Sequence, residues 1–421
     1  MLKNIIFDNV RQDLEAKEEK GLAKYAVKSK SAERLYMDNY ESCQRRTEFE
    51  RDKDRIIYSL AFKRLMEKTQ VYMTNQGDHY TNRLSHTLEV TQISRSIATS
   101  LGLNAYLTES IALGHDLGHT PFGHAVEAVL NNNVDGGFEH NCQSVLVVDY
   151  LENKGFNNNE APCGLNLTNY TRYGILHHTK IPQDINIYNS KSDAIATSSQ
   201  YKSIESDLVC KIDTLAYLYH DLEDAIKNKN ILQDMKLNDP KQFKDFLEEL
   251  NFYTGIATKI LNIEYVKIID LWEDYNPNTI LKAMIKDLII GTKEQIQNLK
   301  IENQEDIINH GNISIAEYSA FKEHFKSYKT FMKNYIYKSP IACQMDTKAQ
   351  FIAGRLFESF STNPEQLPYR TRKIYENAKN GIILFDRKDA GYDITPTRVI
   401  VNYIAGMTDR YAMENYQRMF E

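Results

Sequence analysis

The stretch HDLGHTPFGH, residues 115–124, gathers three histidines and an aspartate. The whole chain of 421 residues holds only 11 histidines, and two more, His86 and His140, stand on the flanking segments. Upstream, residues 104–117 carry Leu107, Ile111 and His115 at four-residue spacing. Residues 85–101, SHTLEVTQISRSIATSL, carry His86, Val90, Ile93 and Ile97 on one helical face. Both patterns predict helices whose histidines turn inward with the aliphatic side chains. Ser85 reads as an N-cap. Thr120-Pro121 reads as the start of a further helix, with Thr as cap and Pro in the first position.

The helical pattern extends outward from this centre. Residues 53–74 are amphipathic, 138–152 and 205–228 (ESDLVCKIDTLAYLYHDLEDAIKN) are helical, and Thr395-Pro396 opens a last helix. NNNVDGG (131–137) and NKGFNNNEAPCG (153–164) are polar loops. A lysine- and glutamate-rich stretch, 229–330, reads as solvated helices with no identifiable chemistry, and IILFD (382–386) as a short strand. No internal repeat or heptad run occurs. The fold class expected is mainly α, a helical bundle with additional C-terminal helices and at most a short β-hairpin. The expected division is an N-terminal arm (1–44), a metal-binding catalytic core (45–230), a helical insertion or oligomerisation region (231–340) and a C-terminal helical part on the core (341–421).

Composition narrows the function. The 51 basic and 57 acidic residues leave a formal net charge of −6, which argues against a protein built to coat DNA. A locally positive pocket for an anion remains compatible with that balance. The five cysteines, Cys43, Cys142, Cys163, Cys210 and Cys343, form no CxxC pair, as expected of free thiols in a reducing compartment. The N-terminus lacks a signal-peptide core, and no apolar run reaches the ~18 residues of a membrane span. A cytoplasmic protein is expected.

Taken singly, an inward histidine is ordinarily a hydrogen-bonded core residue. Here Asp116 follows His115, and a buried carboxylate is costly unless it is paired or metal-bound. The 205–228 helix adds Asp213 among Ile212, Leu215 and Ala216. Two imidazoles and two carboxylates form a mixed N/O set that suits a first-row divalent metal, or Mg²⁺ beside phosphate. His124 and Glu127, at i and i+3, share a helix face, where the carboxylate orients the ring and raises its pKa.

The segments RLSHTLEV (83–90), HDLGHTPFGHAVE (115–127), FEHNCQS (138–144) and the helix from Asp213 to Asp224 resemble the HD-domain phosphohydrolases. More narrowly, with RDKDRIIYSLAFKRLMEKTQV (51–71) and NYIAGMTDRYA (402–412), they resemble the deoxynucleoside triphosphate triphosphohydrolases, the dGTPase-like branch. The resemblance runs from about residue 45 to the C-terminus and is weakest between 229 and 340. It implies that His86, His115, Asp116 and Asp213 hold the metal, Mn²⁺ or Mg²⁺, with Fe²⁺, Co²⁺ or Zn²⁺ as alternatives. It implies that His124 with Glu127 acts at the scissile phosphate and that His140 reaches the α-phosphate; His119, one turn from His115, is placed to contact phosphate or to orient a ligand. It places Arg83 on the triphosphate, and Gln70, Tyr217 and Asp221 around the deoxyribose, with Tyr217 excluding a 2′-hydroxyl. Arg45, Arg46, Lys63, Arg370 and Arg372 are further candidates for phosphate.

The reaction implied is hydrolysis of a dNTP to deoxynucleoside and triphosphate. The resemblance also implies a tetramer or hexamer with dNTP effectors at subunit interfaces; the charge balance leaves single-stranded nucleic acid, bound in a local groove, as a secondary partner. Two departures occur. Asn402 stands where aspartate is expected, and Thr214 where some relatives carry lysine. The alternatives are another HD phosphohydrolase, acting on cyclic nucleotides or alarmones, and a nucleotide-gated regulatory or single-stranded-DNA-binding protein on the same scaffold.

Overall fold

The computed structural model describes residues 10–36, 43–70, 82–152, 164–179, 198–227, 229–265, 272, 275–382 and 394–421. Among them the chain is helical and holds no sheet. Two isolated bridges, Arg34 with Thr168 and Thr69 with Asn82, are the only β pairings described. The strand expected at 382–386 lies, after Ile382, outside the described residues, as do Cys163 and most of the 153–164 loop. No described helix is long and apolar enough to cross a membrane.

The largest core gathers the helices Arg83–Ser100, Ala105–Gly114, Ile204–Lys227, Pro240–Leu261 and Asn278–Asn298. This corrects the reading of 229–330 as solvated. Phe243, Phe246, Leu247, Leu250, Tyr253 and Ala257 line one buried side of their helix, and Phe321, Tyr328 and Phe331 pack into the same core. Lys241, Lys244 and Asp245 lie on the exposed side of the Pro240–Leu261 helix. A second core joins the helices His124–Asn131, Pro340–Thr362, Pro396–Ala405 and Asp409–Phe420. A third packs Ile56, Leu113, Val145 and Ile175 beneath the histidine stretch.

Several boundaries differ from expectation. The 53–74 segment breaks: one helix runs Glu48–Ile57, another Leu60–Arg64 with the Ser59 hydroxyl accepting from Phe62 N, and a 3₁₀ turn follows at Leu65–Glu67. The helix expected at 85–101 begins at Arg83, and Asn82, not Ser85, caps it by accepting from Ser85 N at 2.9 Å. The 138–152 helix changes to a π-helical turn at Val147–Leu151. Thr395 caps its helix as expected. The segment after it forms two helices, Pro396–Ala405 and Asp409–Phe420, the second capped by Thr408.

The largest correction concerns Thr120-Pro121, which opens no helix. The chain continues in turns to Gly123 (φ 67) and the helix starts at His124. Phe122 is held at φ 59, a conformation L-residues adopt at a cost of about 1 kcal/mol or more. Asp409 secures it: one carboxylate oxygen accepts from Phe122 N and the other from Thr69 N, both at 2.8 Å. The Phe122 ring sinks into the C-terminal core. Thr120 donates its hydroxyl to Gly123 O at 2.7 Å. Thus the C-terminal motif GMTDRY fixes the shape of the histidine stretch from far along the chain.

Candidate active site

Three helices and one turn bring the predicted ligands together. His86 lies one turn into the Arg83–Ser100 helix, and His115 closes the Ala105–Gly114 helix, which Asn104 caps. Asp213 lies midway along Ile204–Lys227. Its Oδ1 is 3.0 Å from His86 Nε2 and 3.4 Å from His115 Nε2. His115 Nδ1 donates to Ala112 O at 2.6 Å, so Nε2 faces the cluster. That buried Nε2 has no aligned hydrogen-bond partner. An imidazole nitrogen, buried and aimed between carboxylates without a hydrogen bond, suits a divalent cation. His86, His115 and Asp213 offer ligand atoms all within 4.8 Å of one another.

Asp116, the fourth predicted ligand, sits at the border of this group. Its Oδ1 is 3.3 Å from His115 Nε2 and 3.1 Å from His119 Nε2, while Oδ2 takes Arg83 Nη1 at 3.1 Å. Burial opposes its charge, but His115 and Arg83 hold the carboxyl well below its usual range. Asp213 is likewise kept ionised against burial, by His115 and His86.

The next turn builds a second group. Glu127 faces three rings: Oε1 is 3.1 Å from His119 Nδ1 and 3.0 Å from His124 Nδ1, and Oε2 is 3.2 Å from His140 Nδ1. The predicted i, i+3 pairing of His124 with Glu127 is therefore present. The pocket disfavours a charged His124, yet the Glu127 carboxylate outweighs this and raises its pKa. The His124 side chain is 72% exposed and stands at the open side of the site. His119 is the opposite case, driven down to about 3 by burial and then by Arg83, so it stays neutral. One carboxylate thus separates a ring able to carry a proton from one that cannot.

Tyr217 and Asp221 follow Asp213 on the same helix, Tyr217 half-buried and Asp221 buried. Burial pushes the Asp221 carboxyl up to about 7, and Tyr337 donates its hydroxyl to Asp221 Oδ2 at 2.6 Å. Gln70 keeps a buried Oε1 with no partner. Of the remaining basic candidates, Arg46 pairs with Asp54 and Arg372 with Glu376, while Arg45, Lys63 and Arg370 are exposed. Thr214 turns its hydroxyl back to Cys210 O, and buried Asn402 has neither amide atom paired.

The HD domain family matches residues 83–218, and the phosphohydrolase-associated domain matches 316–418. A deoxyguanosinetriphosphate triphosphohydrolase-like protein of Rickettsia felis is 36% identical, covering 94% of this chain and 98% of that protein. Like-named proteins of Syntrophus aciditrophicus and Geobacter metallireducens are each 35% identical, over 98% and 96% of this chain. The chain belongs to the deoxyguanosinetriphosphate triphosphohydrolase-like family of HD-domain hydrolases.

In this family member, four further residues at the site escaped sequence reasoning. His178 lies with its Nε2 3.1 Å from His140 Nε2. His220 approaches His86, Nδ1 to Nδ1 at 3.3 Å, and pairs on its other side with Glu89. Asp213 and His220 are seven residues apart on one helix, a spacing that was open to reading. Lys329 stands 6.0 Å from the Tyr217 ring and Tyr337 reaches Asp221, both from the stretch that seemed to lack chemistry or its border. Their arrival depends on long-range packing that leaves no local pattern.

The electrostatics set a pH dependence for metal uptake. Burial lowers the His115 pKa, but Asp116 and Asp213 overcome it and raise the ring to about 9. Below that pH the metal-free ring is protonated at Nε2, and ligation must release this proton. Apparent Mn²⁺ affinity is therefore expected to rise about tenfold per pH unit from neutral pH toward 9. Competition titrations against a chelating dye across that range measure the slope, and a flat profile would remove the assignment of His115 as a ligand.

Proposed function

We propose that this protein hydrolyses deoxynucleoside triphosphates to the deoxynucleoside and inorganic triphosphate. The observation that carries this reading is the adjacency of three parts. The His86–His115–Asp213 group abuts the Glu127-centred imidazoles, and Tyr217 and Asp221 continue from Asp213 along one helix. These would serve a cation, a phosphate and a sugar in that order. Family membership over nearly the whole chain supports the same reading.

A divalent ion held by His86, His115, Asp116 and Asp213 would supply charge to the α-phosphoryl oxygens and acidity to a bound water. The chain's own groups do the rest. A water oxygen bonds to the α-phosphorus and releases a proton to solvent as the bond from that phosphorus to O5′ breaks. His124, whose hold on a proton Glu127 strengthens, gives that proton to O5′. Neutral His119 lines the phosphate without adding a fixed charge, and His140 lies beside it. Arg83, now on Asp116, lies beside the same phosphate. Gln70 Oε1 and Asp221 take the 3′-hydroxyl, and the Tyr217 ring covers C2′.

Steric rejection of a 2′-hydroxyl by that ring can be tested by truncating it. Tyr217→Ala is expected to cut the dNTP-over-NTP preference from above about a hundredfold toward parity, since a plain pocket discriminates an added hydroxyl weakly. Competition between dATP and ATP reads this directly, and unchanged preference would remove Tyr217 from the sugar site. The function itself is tested by incubating the Mn²⁺-loaded protein with each dNTP, singly and in pairs, beside cyclic nucleotides and alarmones. Equal yields of tripolyphosphate and deoxynucleoside are expected; release of pyrophosphate or a monophosphate would favour another HD phosphohydrolase.

A further inference from the structure

We infer that His220 and Glu89 are positioning residues for the metal: together they hold the hydrogen of the His86 ring on Nδ1, so that Nε2 presents its lone pair to the cation. The inference rests on the placement of the ion at His86, His115 and Asp213, and adds the groups that orient one of its ligands.

A neutral imidazole ligates through one nitrogen only while its hydrogen sits on the other. For His115 the backbone settles this, because Nδ1 lies 2.6 Å from Ala112 O and a carbonyl only accepts. The Nδ1 of His86 instead faces another ring, His220 Nδ1, at 3.3 Å, and either nitrogen could be the donor there. The far side of His220 resolves the choice. Its Nε2 pairs with a Glu89 carboxylate oxygen, which can only accept, so Nε2 carries the hydrogen. Neutral His220 is then bare at Nδ1 and accepts from His86 Nδ1–H. His86 Nε2, 3.0 Å from Asp213 Oδ1, is left with its lone pair among the other ligands. The reverse order would set a bare His220 Nε2 against the carboxylate, acceptor against acceptor.

The two helices that carry ligands supply one member each. Glu89 is three residues after His86 on the Arg83–Ser100 helix, and His220 is seven after Asp213 on Ile204–Lys227. The His86 and His220 rings are each 1% exposed and meet edge to face at 82°. The Glu89 side chain is 50% exposed. The charge of the brace therefore stays at the surface, in water, and only neutral rings run inward. His86 gains the carboxylate support that metal-bound histidines ordinarily have, and the interior is spared a third carboxylate beside Asp116 and Asp213.

The test titrates the metal-stripped full-length protein with Mn²⁺ against a chelating dye. Glu89→Leu is expected to weaken Mn²⁺ binding by about tenfold to a hundredfold, and Glu89→Gln, whose amide oxygen still accepts from His220 Nε2–H, to recover most of that loss. At position 220 an asparagine amide takes the place of Nδ1 and can accept from His86, whereas a glutamine amide takes the place of Nε2 and cannot. His220→Asn is therefore expected to bind Mn²⁺ more tightly than His220→Gln, although a role in packing alone would favour the longer side chain. Wild-type affinity in Glu89→Leu, or His220→Gln binding as well as His220→Asn, would overturn the inference. Should the variants fold poorly, nitrogen NMR of the zinc-loaded wild type with ¹⁵N-labelled histidine decides: His220 is expected to be neutral and protonated at Nε2, and a hydrogen on its Nδ1 would overturn the brace. A wild type that binds no Mn²⁺ would remove the ion's placement and the brace with it, whereas full-strength binding in Glu89→Leu would remove the brace and leave the ion's placement standing.

Discussion

Asp213→Ala is expected to lose bound metal and phosphohydrolase activity together while the helical fold persists. Asp213 supplies the one oxygen that lies 3.0 Å from His86 Nε2 and 3.4 Å from His115 Nε2. Without it no carboxylate bridges the two buried imidazoles, and a divalent ion keeps only Asp116 of its two anionic ligands. The residue is 19% exposed at its side chain, and its helix is held by Ile212, Leu215 and Ala216 on the buried side. Truncation therefore removes chemistry rather than packing. A fall of at least ~10³-fold in turnover is expected, since both the cation's charge and its bound water disappear. Circular dichroism and metal analysis check the two halves of this claim. Retained metal in the variant would return Asp221 to consideration as the ligand.

Gly118→Ala is expected to unfold or badly distort the site without touching a ligand. A Cβ at this position would lie 2.2 Å from Ser144 N and 2.4 Å from His140 O. Those are backbone atoms of the His140–Leu146 helix and cannot swing aside. Two hydrogen bonds hold that close approach: Gly118 N donates to the Ser144 hydroxyl at 2.8 Å, and the hydroxyl donates to His115 O at 2.7 Å. Forcing the helix outward would break both and carry His140 away from Glu127. A loss of about 3 kcal/mol or more is expected, at the upper end of overpacking costs. Urea unfolding measures it, and a variant with native stability would mean that the turn yields more easily than its contacts imply.

Much of the site was open to reading because its ligands recur at helical spacing. His86 and His115 fall in line with Val90, Ile93, Leu107 and Ile111, and Asp213 falls among Ile212, Leu215 and Ala216, so burial and convergence followed from period alone. What escaped depends on distant chain. The turn from Thr120 to Gly123 looked like a helix start because Thr-Pro is a good local signal. It is overridden by Asp409, which binds Phe122 N from the far end of the sequence. The 229–330 stretch looked solvated because of its many lysines and glutamates, yet its apolar residues fall on one face and fill the largest core. His178 sits at the end of a helix beside His177, and only packing decides which of the two rings turns inward. His177 stacks on Tyr173 instead.

The central claim is that one cavity joins a cation, a proton donor and a sugar clamp so as to break the bond between the α-phosphorus and O5′. Hydrolysis of a dNTP by the Mn²⁺-loaded protein in ¹⁸O-labelled water tests it most directly. The account predicts one labelled oxygen in the released tripolyphosphate and none in the deoxynucleoside. Label in the deoxynucleoside, or label found only in pyrophosphate, orthophosphate or a nucleotide product, would contradict it.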